Sequence, residues 1–249
     1  MATNLPARLN KEPLIDAIFE VRFTSQIPAS IILPGILYNN LDGDKKLDSL
    51  PVAQVPKNVR DADPNLRYAP LSRIDWTIFF ISISDYSVLI SCKYPYCGWK
   101  QFKPAIDKLI AILDESGIID KVERYSMKYI DLIPSQEIQQ KVAMINFDVS
   151  IANHKLEKEQ FHLRIEIPSN DFVHAVQVVS TAQVVLHNGI QMEGLLIDID
   201  TFVAQFNDSL KSLRKDLLDR LEAIHLANKT MFFNCLRPDA LKQLEPEYE

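Results

Sequence analysis

The sequence predicts an α+β protein with a mainly antiparallel sheet and a long C-terminal helix. Segments with the period-two alternation of strands come in consecutive groups, and each group precedes a segment with the 3.6-residue period of an amphipathic helix. Grouped strands of this kind favour α+β folds over the alternating units of a parallel sheet. The layout strand, strand, strand, helix occurs twice. We therefore expect one compact domain, 1–249, built from two similar halves, 1–135 and 136–249.

The first half opens with a strand. From Leu14 to Phe23, apolar residues alternate with Asp16, Glu20 and Arg22, which predicts a half-buried strand. A short helix is expected over 29–41. The segment 39–70 is polar and contains four prolines, so we expect a long surface loop of the kind that often carries function.

Two strands, a helix and a third strand complete this half. The run 76–83 is apolar on both faces and predicts a central strand, and 86–94 predicts the next. A helix follows, ended by Gly117, whose apolar residues recur at spacings of three and four: Trp99, Phe102, Ile106, Leu109 and Leu113. The segment 122–133 predicts a further strand, stopped by Pro134.

The second half repeats the theme. Strands are expected over 147–151, 161–167, 172–186 and 192–200, and Asn188-Gly189 is a strong hairpin signal. The longest helix is expected over 202–233. Its apolar stripe comprises Val203, Phe206, Leu210, Leu213, Leu217, Leu221 and Ile224. We expect this stripe to pack on the sheet, and the alternative is the coiled-coil seam of a homodimer.

Composition limits the function classes. The net charge is −6, from 27 basic and 33 acidic residues, which disfavours nucleic acid and anionic membranes as partners. No apolar run approaches the roughly 20 residues of a membrane span, and the first ten residues lack a signal-peptide pattern. The three cysteines cannot all pair with each other, and reduced thiols in the cytoplasm are the simplest interpretation. We expect a cytoplasmic protein with no cofactor.

Two polar sets are candidate sites. Asp198 and Asp200 share one face of a predicted strand, so both carboxylates could reach one Mg²⁺ or Mn²⁺ ion. The alternative is that Asp198 is solvated and that Asp200 or Thr201 caps the long helix. The residues His162, Arg164 and Glu166 also share a strand face and could bind phosphate or move protons, although any half-exposed strand shows such alternation.

Other residues match the pattern of a functional site less well. Cys92 and Cys97 lack the spacing of a zinc site. The side chains of Tyr38, Tyr68 and Leu71, in and beside the proline-rich segment, are candidates for a surface that contacts a partner protein. No residue set completes a catalytic or metal site in the sequence.

Several short segments, in order along nearly the whole chain, carry a family resemblance. They are Lys11-Glu12-Pro13-Leu14-Ile15 with the strand to Phe23, Tyr94 with Trp99-Lys100-Gln101-Phe102, Tyr125 to Asp131, Leu196 to Asp200, Leu221 to His225, and Phe232-Phe233. Together they resemble a family of sporadically distributed bacterial and archaeal proteins of similar length and unknown function. The strand Tyr125 to Asp131 looks like the family's Gly-Leu-Arg-Tyr-Ile-Asn stretch, with Ser126, Lys128 and Asp131 in place of Gly, Arg and Asn.

The resemblance implies one architecture and brings no activity, cofactor or catalytic residue. The family's scattered distribution is typical of mobile accessory genes, such as defence or toxin–antitoxin modules. We therefore expect a non-catalytic binding or accessory protein whose partner is another protein or a second copy of itself. The alternative is a metal-dependent enzyme that acts on nucleotides or nucleic acid through Asp198 and Asp200.

Overall fold

A computed structural model describes residues 5–134, 138–203 and 205–248. Within these ranges there are thirteen strands: β1 Arg8–Leu9, β2 Leu14–Thr24, β3 Lys45–Ser49, β4 Ser72–Trp76, β5 Phe79–Ile83, β6 Ser87–Cys92, β7 Lys121–Ile133, β8 Ser150–Ile151, β9 His154–Lys155, β10 His162–Ser169, β11 Phe172–Val185, β12 Gln191–Val203 and β13 Pro246–Glu247. The α-helices in the same ranges are α1 Ala29–Asn40, α2 Lys57–Ala62, α3 Trp99–Ser116, α4 Ile138–Met144, α5 Leu210–Lys215, α6 Leu217–Cys235 and α7 Pro238–Gln243.

The predicted α+β class with a mainly antiparallel sheet is confirmed. Nine strands form one sheet in the order β10-β11-β12-β7-β2-β6-β5-β4-β3, and two short antiparallel pairs, β1-β13 and β8-β9, form separate two-stranded sheets. The chain divides into two compact units, one of Met1–Asp16, Lys128–Thr201 and His225–Glu249, the other of Ala17–Met127 and Phe202–Ile224. We call them the first and the second unit. Each draws on both 1–135 and 136–249, and the predicted similarity of those halves stays a prediction.

In the second unit, β2 and α3 bury the apolar faces that their sequence periodicity predicts. In β2 the side chains of Phe19, Val21 and Phe23 are buried, whereas Glu20 accepts an ion-paired hydrogen bond from Arg22 at 2.8 Å on the other face. The predicted stripe of α3 is buried from Phe102 to Leu113, whereas Trp99 at its start is only half-buried, and the helix packs against α1 and β6. It ends at Gly117, whose φ of +64° is the left-handed value that glycine adopts without a steric penalty.

The central strand predicted over 76–83 is confirmed as β5, which lies between β6 and β4, but its start is wrong because a turn divides the run. β4 ends at Trp76 and β5 begins at Phe79, and these two residues face each other across a tight turn. Thr77 makes the turn with a φ of +50°. The run is apolar because both strands are buried, and the turn contains neither glycine nor proline, so no local signal divides it.

The predicted long loop over 39–70 is also replaced by folded structure. β3 pairs with β4, a 3₁₀-helix covers Pro51–Gln54, and α2 follows Pro56. Two of the prolines therefore begin helical turns, where their fixed φ is favourable. The guanidinium of Arg60 is buried and pairs with Asp85 at 2.7 Å, and this buried charge pair ties α2 to the turn that joins β5 and β6.

The last helix begins later than predicted. β12 continues to Val203, Asn207 has a φ of +51°, and α5 starts after Ser209, whose hydroxyl caps the N–H of Ser212. A break at Asp216 separates α5 from α6. The apolar spacing continues across the break and so conceals it. The stripe itself is confirmed from Leu210 to Ile224, where its members are buried.

In the first unit, β10, β11 and part of β12 lie beside the C-terminal end of α6. Leu195, Ile197 and Ile199 join one apolar cluster with Phe232 and Leu236. The strand predicted over 147–151 shrinks to β8, because Phe147 instead packs its ring on Phe161 with centroids 5.1 Å apart. In the ranges described, no helix combines the length and apolar character needed to cross a membrane.

The buried stripe predicts a large effect for Leu213→Ala. Leu213 is fully buried on α5, which packs against α3. Truncation should lower the free energy of unfolding by roughly 2–5 kcal/mol, measured by urea denaturation. Leu218→Ala is the control, because Leu218 is 48% exposed and should change stability by less than about 0.5 kcal/mol. Equal effects for the two variants would contradict the packing.

Candidate functional site

The Asp198–Asp200 pair lies on one face of β12, as predicted. Asp198 is ion-paired with the Lys128 ammonium at 2.8 Å, and its side chain is 13% exposed. Burial raises the pKa of Asp198, while the charge and hydrogen bond of Lys128 oppose that rise. Asp200 does not cap a helix, because β12 continues to Val203. The carboxylate best placed for a metal is therefore already neutralised by a lysine.

The first unit holds two more acids with a raised pKa, of which Asp131 is buried. The pKa of Asp131 is raised well above its usual range, first by complete burial and then by the negative charges of Glu12 and Asp198. Burial also raises the pKa of Glu12. Among the residues that the structure describes, no three Asp, Glu, His or Cys side chains are placed to hold a metal ion. These acids therefore influence stability and, as arranged, do not form a metal centre.

The row His162, Arg164 and Glu166 lies on β10, and all three residues are exposed. Arg164 donates to Glu166 at 2.9 Å, so the two charges satisfy each other. The positive charge of Arg164 also acts on Asp198, where it lowers the pKa slightly. This contribution links the two predicted polar sets, and it does not assemble a catalytic group.

The backbone of the same row is the more informative feature. β10 is the first strand in the order of the nine-stranded sheet and pairs only with β11 within the described ranges. The N–H of Ser180 donates to the carbonyl of Phe161, and antiparallel residues alternate between bonded and non-bonded pairs. Residues 163, 165 and 167 therefore bond to β11. The backbone groups of His162, Arg164 and Glu166 point away from it.

Pro168 agrees with this register. Proline lacks an N–H, and in sheets it occupies edge positions where that N–H would face away from the neighbouring strand. The free edge of β10 therefore presents three N–H donors, from His162, Arg164 and Glu166, and four carbonyl acceptors, from these residues and Pro168. Pro168 ends the row of donors. The sequence contained this signal, because a proline within a strand pattern indicates an edge strand.

An apolar cavity lies on the other face of β10. It has a volume of about 190 Å³ and is bounded by β10, β11, the segment before β8 and the end of α6. Ten of the twelve lining residues are apolar or cysteine, and the other two are asparagines: Ile145, Asn146, Phe147, Phe161, Leu163, Ile165, Ile167, Val176, Val178, Met231, Asn234 and Cys235. None of these side chains is charged. Burial raises the pKa of Cys235 to about 11, so its thiol is neutral at physiological pH.

The cavity reaches the surface at β10. Ile165, in the middle of the strand, is 43% exposed although its side chain lines the cavity. Leu163 and Ile167 are half-buried on either side of it. The edge donors and the cavity-lining side chains therefore belong to the same six residues of β10, 162–167. Sequence reasoning identified the polar half of this alternation and missed the cavity, which depends on residues far apart in the chain.

The other edge of the sheet is β3, and it differs. β3 has five residues and begins with Lys45 and Lys46. Lys45 bonds to the Leu41 carbonyl and lies over the Tyr38 ring at 5.3 Å. Short length and lysines are features that protect edge strands from pairing.

The three residues predicted as a partner surface have different environments. Tyr38 is 42% exposed and borders a shallow depression beside β3. Tyr68 is half-buried, with the guanidinium of Arg22 at 4.2 Å from its ring centroid. Leu71 is buried, and its N–H donates to Ile83. Leu71 therefore adds nothing to an exposed apolar surface.

Comparison with protein-family models and with curated proteins finds no match to this chain. The family resemblance noted from the sequence therefore stays a prediction. The functional proposal therefore rests on the backbone edge of β10 and on the apolar cavity that its side chains line.

The buried Asp131 predicts an unusual dependence of stability on pH. Because its pKa is raised in the folded state, the folded protein binds more protons than the unfolded chain. The free energy of unfolding should therefore fall as pH rises from about 4, the unfolded value, towards the folded value. Asp131→Asn carries no ionisable group and should remove this fall. We expect the variant to gain stability over the wild type at pH 8 and to lose that gain at pH 4, by urea denaturation.

Asp198→Asn is the matched control for this prediction. The pKa of Asp198 is also raised, but removing the Asp198 carboxylate leaves the Lys128 ammonium without its ion-pair partner. This variant should not gain stability at pH 8. A loss of stability in Asp131→Asn that is the same at every pH would show that buried charge is not the cause.

Proposed function

We propose that this protein is a non-catalytic binding module that holds an extended segment of a partner protein along the free edge of β10. The single observation that supports this is the coincidence of an unpaired strand edge with an uncharged apolar cavity under the same residues. Strand addition of this kind uses backbone hydrogen bonds for affinity and side-chain pockets for selection.

The edge limits the length of the segment. The donors of His162, Arg164 and Glu166 lie at every second residue, so an added strand of about five residues satisfies them at the rise of roughly 3.3 Å per residue. Pro168 has no donor beyond that point. The partner segment therefore needs an extended backbone, free of proline at the positions that face β10.

The cavity selects the side chains of the segment. Alternate side chains of an added strand face the cavity, where an apolar occupant loses no hydrogen bonds and meets no charge. The intervening side chains face the Arg164–Glu166 ion pair, which offers one charge of each sign. We therefore expect a segment with Val, Ile or Leu at alternate positions and polar residues between them.

The expected affinity is modest. Burying two such side chains contributes roughly 3–6 kcal/mol, and part of this is offset by ordering the segment. A Kd of 1 mM corresponds to about −4.1 kcal/mol and 1 µM to about −8.2 kcal/mol. A short isolated peptide should therefore bind between these values, and a folded partner with further contacts should bind more tightly.

The contrast with β3 supports the choice of edge. β3 carries lysines at its start and is only five residues long, as expected for an edge that avoids partners. Both edges expose an apolar residue at the centre, Leu47 at 42% and Ile165 at 43%, but Leu47 lies among lysines whereas Ile165 lines an uncharged cavity in a strand of eight residues. An exposed isoleucine over a cavity is unfavourable in the free protein and becomes favourable once a partner covers it.

Glu166→Pro tests the proposal. The N–H of Glu166 points away from β11, so proline removes one edge donor and leaves the β10–β11 ladder intact, as Pro168 already does. A fluorescent peptide Thr-Val-Thr-Val-Thr reports binding by anisotropy. One backbone hydrogen bond contributes about 0.5–1.5 kcal/mol, and the proline ring obstructs the added strand. We expect Kd to rise by about tenfold or more, which corresponds to about 1.4 kcal/mol.

Glu166→Ala is the matched control, because it removes the same carboxylate and keeps the N–H. Its Kd should stay close to the wild-type value, and both variants should unfold at similar temperatures. Equal loss of binding in the two variants would assign the effect to the side chain and overturn strand addition. A pull-down from the host with wild type and Glu166→Pro extends the test to the full partner.

Self-association along β10 is an alternative outcome of the same test. A second copy could add its own β10 in antiparallel register, which would make a homodimer. Sedimentation of the wild type and of Glu166→Pro separates the cases. If the wild type is a dimer and Glu166→Pro is a monomer, the occupant of the β10 edge is a second copy of this chain and not a different partner.

The alternative function is a metal-dependent enzyme acting on nucleotides or nucleic acid, and the shared face of Asp198 and Asp200 favours it. Because Lys128 already pairs with Asp198, we expect Mg²⁺ or Mn²⁺ at millimolar concentration to leave the melting temperature unchanged. A rise in melting temperature that Asp198→Asn and Asp200→Asn both abolish would favour the enzyme.

A further inference from the structure

Cys92 and Cys97 form a close pair of thiols in the second unit. Their sulfur atoms are 3.5 Å apart, and neither cysteine is in a disulfide bond. Cys92 ends β6 and is buried, whereas Cys97 lies just before Gly98, which caps α3, and is partly exposed. A disulfide bond is about 2.05 Å long. The two sulfurs therefore need to approach by about 1.5 Å to bond.

The loop between the cysteines is held in place by aromatic contacts. The ring of Tyr96 meets Phe102 edge-on at 6.4 Å, and Trp99 does so at 6.3 Å. Phe102 in turn stacks on Phe79, the residue opposite Cys92 in the sheet register. The thiols are thus kept together by packed elements on both sides.

The thiol of Cys97 differs from that of Cys235 in the direction of its pKa shift. The hydrogen bond from Cys92 lowers the pKa of the Cys97 thiol, whereas burial raises the pKa of Cys235 to about 11. The thiolate is the reactive form of cysteine, and reactive cysteines are partly exposed. Cys97 is therefore the best nucleophile of the three, with Cys92 beside it.

We propose that Cys97 and Cys92 form a dithiol site that reduces a hydroperoxide and closes into an intramolecular disulfide. The Cys97 thiolate attacks one oxygen of hydrogen peroxide, the O–O bond breaks, and Cys97 becomes a sulfenic acid while the other oxygen leaves as hydroxide and takes up a proton. The Cys92 sulfur then attacks the Cys97 sulfur, the S–O bond breaks, and the oxygen leaves as a second water with the Cys92 proton. Two thiols lose two electrons and one peroxide gains them.

The disulfide would join the end of β6 to the start of α3 across a six-residue ring. Both elements belong to the core of the second unit, so the bond restrains the unfolded chain and should raise the melting temperature of the oxidised protein. The site is independent of the proposed docking edge, which uses β10 of the first unit.

Peptide mapping after peroxide treatment tests the proposal. The full-length protein is treated with hydrogen peroxide, the remaining thiols are blocked with N-ethylmaleimide, and the peptides are analysed by mass spectrometry. We expect a Cys92–Cys97 disulfide and a blocked Cys235. Before oxidation, alkylation of Cys97 should be at least about tenfold faster than that of Cys235.

Three variants make the result specific. Cys97→Ser should prevent disulfide formation, and Cys92→Ser, with Cys92→Ala as a second substitution at this buried position, should leave a Cys97 sulfenic acid that dimedone traps. Cys235→Ser is the control and should oxidise like the wild type. Three intact thiols after peroxide treatment, preferential oxidation of Cys235, or a disulfide between two molecules would each overturn the proposal.

Discussion

A sheet that does not close on itself has two edges, and each edge leaves a row of backbone donors and acceptors without a strand partner. In this protein the nine-stranded order begins with β10 and ends with β3. Each of the seven strands between them has a strand neighbour on both sides. Within the described residues, β10 and β3 are therefore the strands of this sheet that have an open side for another chain.

The two edges are built from different residues. β3 is short, and Lys45 is engaged by Tyr38 and by the Leu41 carbonyl. β10 carries its charges on one face only, where Arg164 and Glu166 pair with each other. On its other face, Leu163, Ile165 and Ile167 line the cavity. The apolar face of β10 can therefore contact another chain, because the charges of β10 lie on the opposite face from the cavity.

Buried charges show how differently the two units use polar groups. In the second unit, Arg60 and Asp85 are both buried and neutralise each other at 2.7 Å, which helps to hold the segment 45–62 in place. In the first unit, Asp131 is buried near other acids, and its pKa rises well above the usual range. A paired charge supports the fold, whereas an acid among acids makes stability depend on pH.

The sequence by itself determined the α+β class, the strands β2, β7, β11 and β12, the helix α3 and the buried stripe from Leu210 to Ile224. Each follows from local periodicity, since apolar spacing records which side of an element is buried. It also placed Asp198 with Asp200, and His162 with Arg164 and Glu166, each set on one strand face.

Only the tertiary structure decided the rest, because the deciding contacts join distant residues. The turn at Thr77 and the folded state of 39–70 depend on strand pairing and on the Arg60–Asp85 pair, neither of which leaves a local pattern. The pairing of Asp198 with Lys128 joins residues on two strands. The cavity brings Phe147 and Phe161 to Met231 and Cys235. The alternation in β10 predicts that one face is apolar. Whether that face is buried by other residues or lines an open cavity depends on how the rest of the chain packs against it.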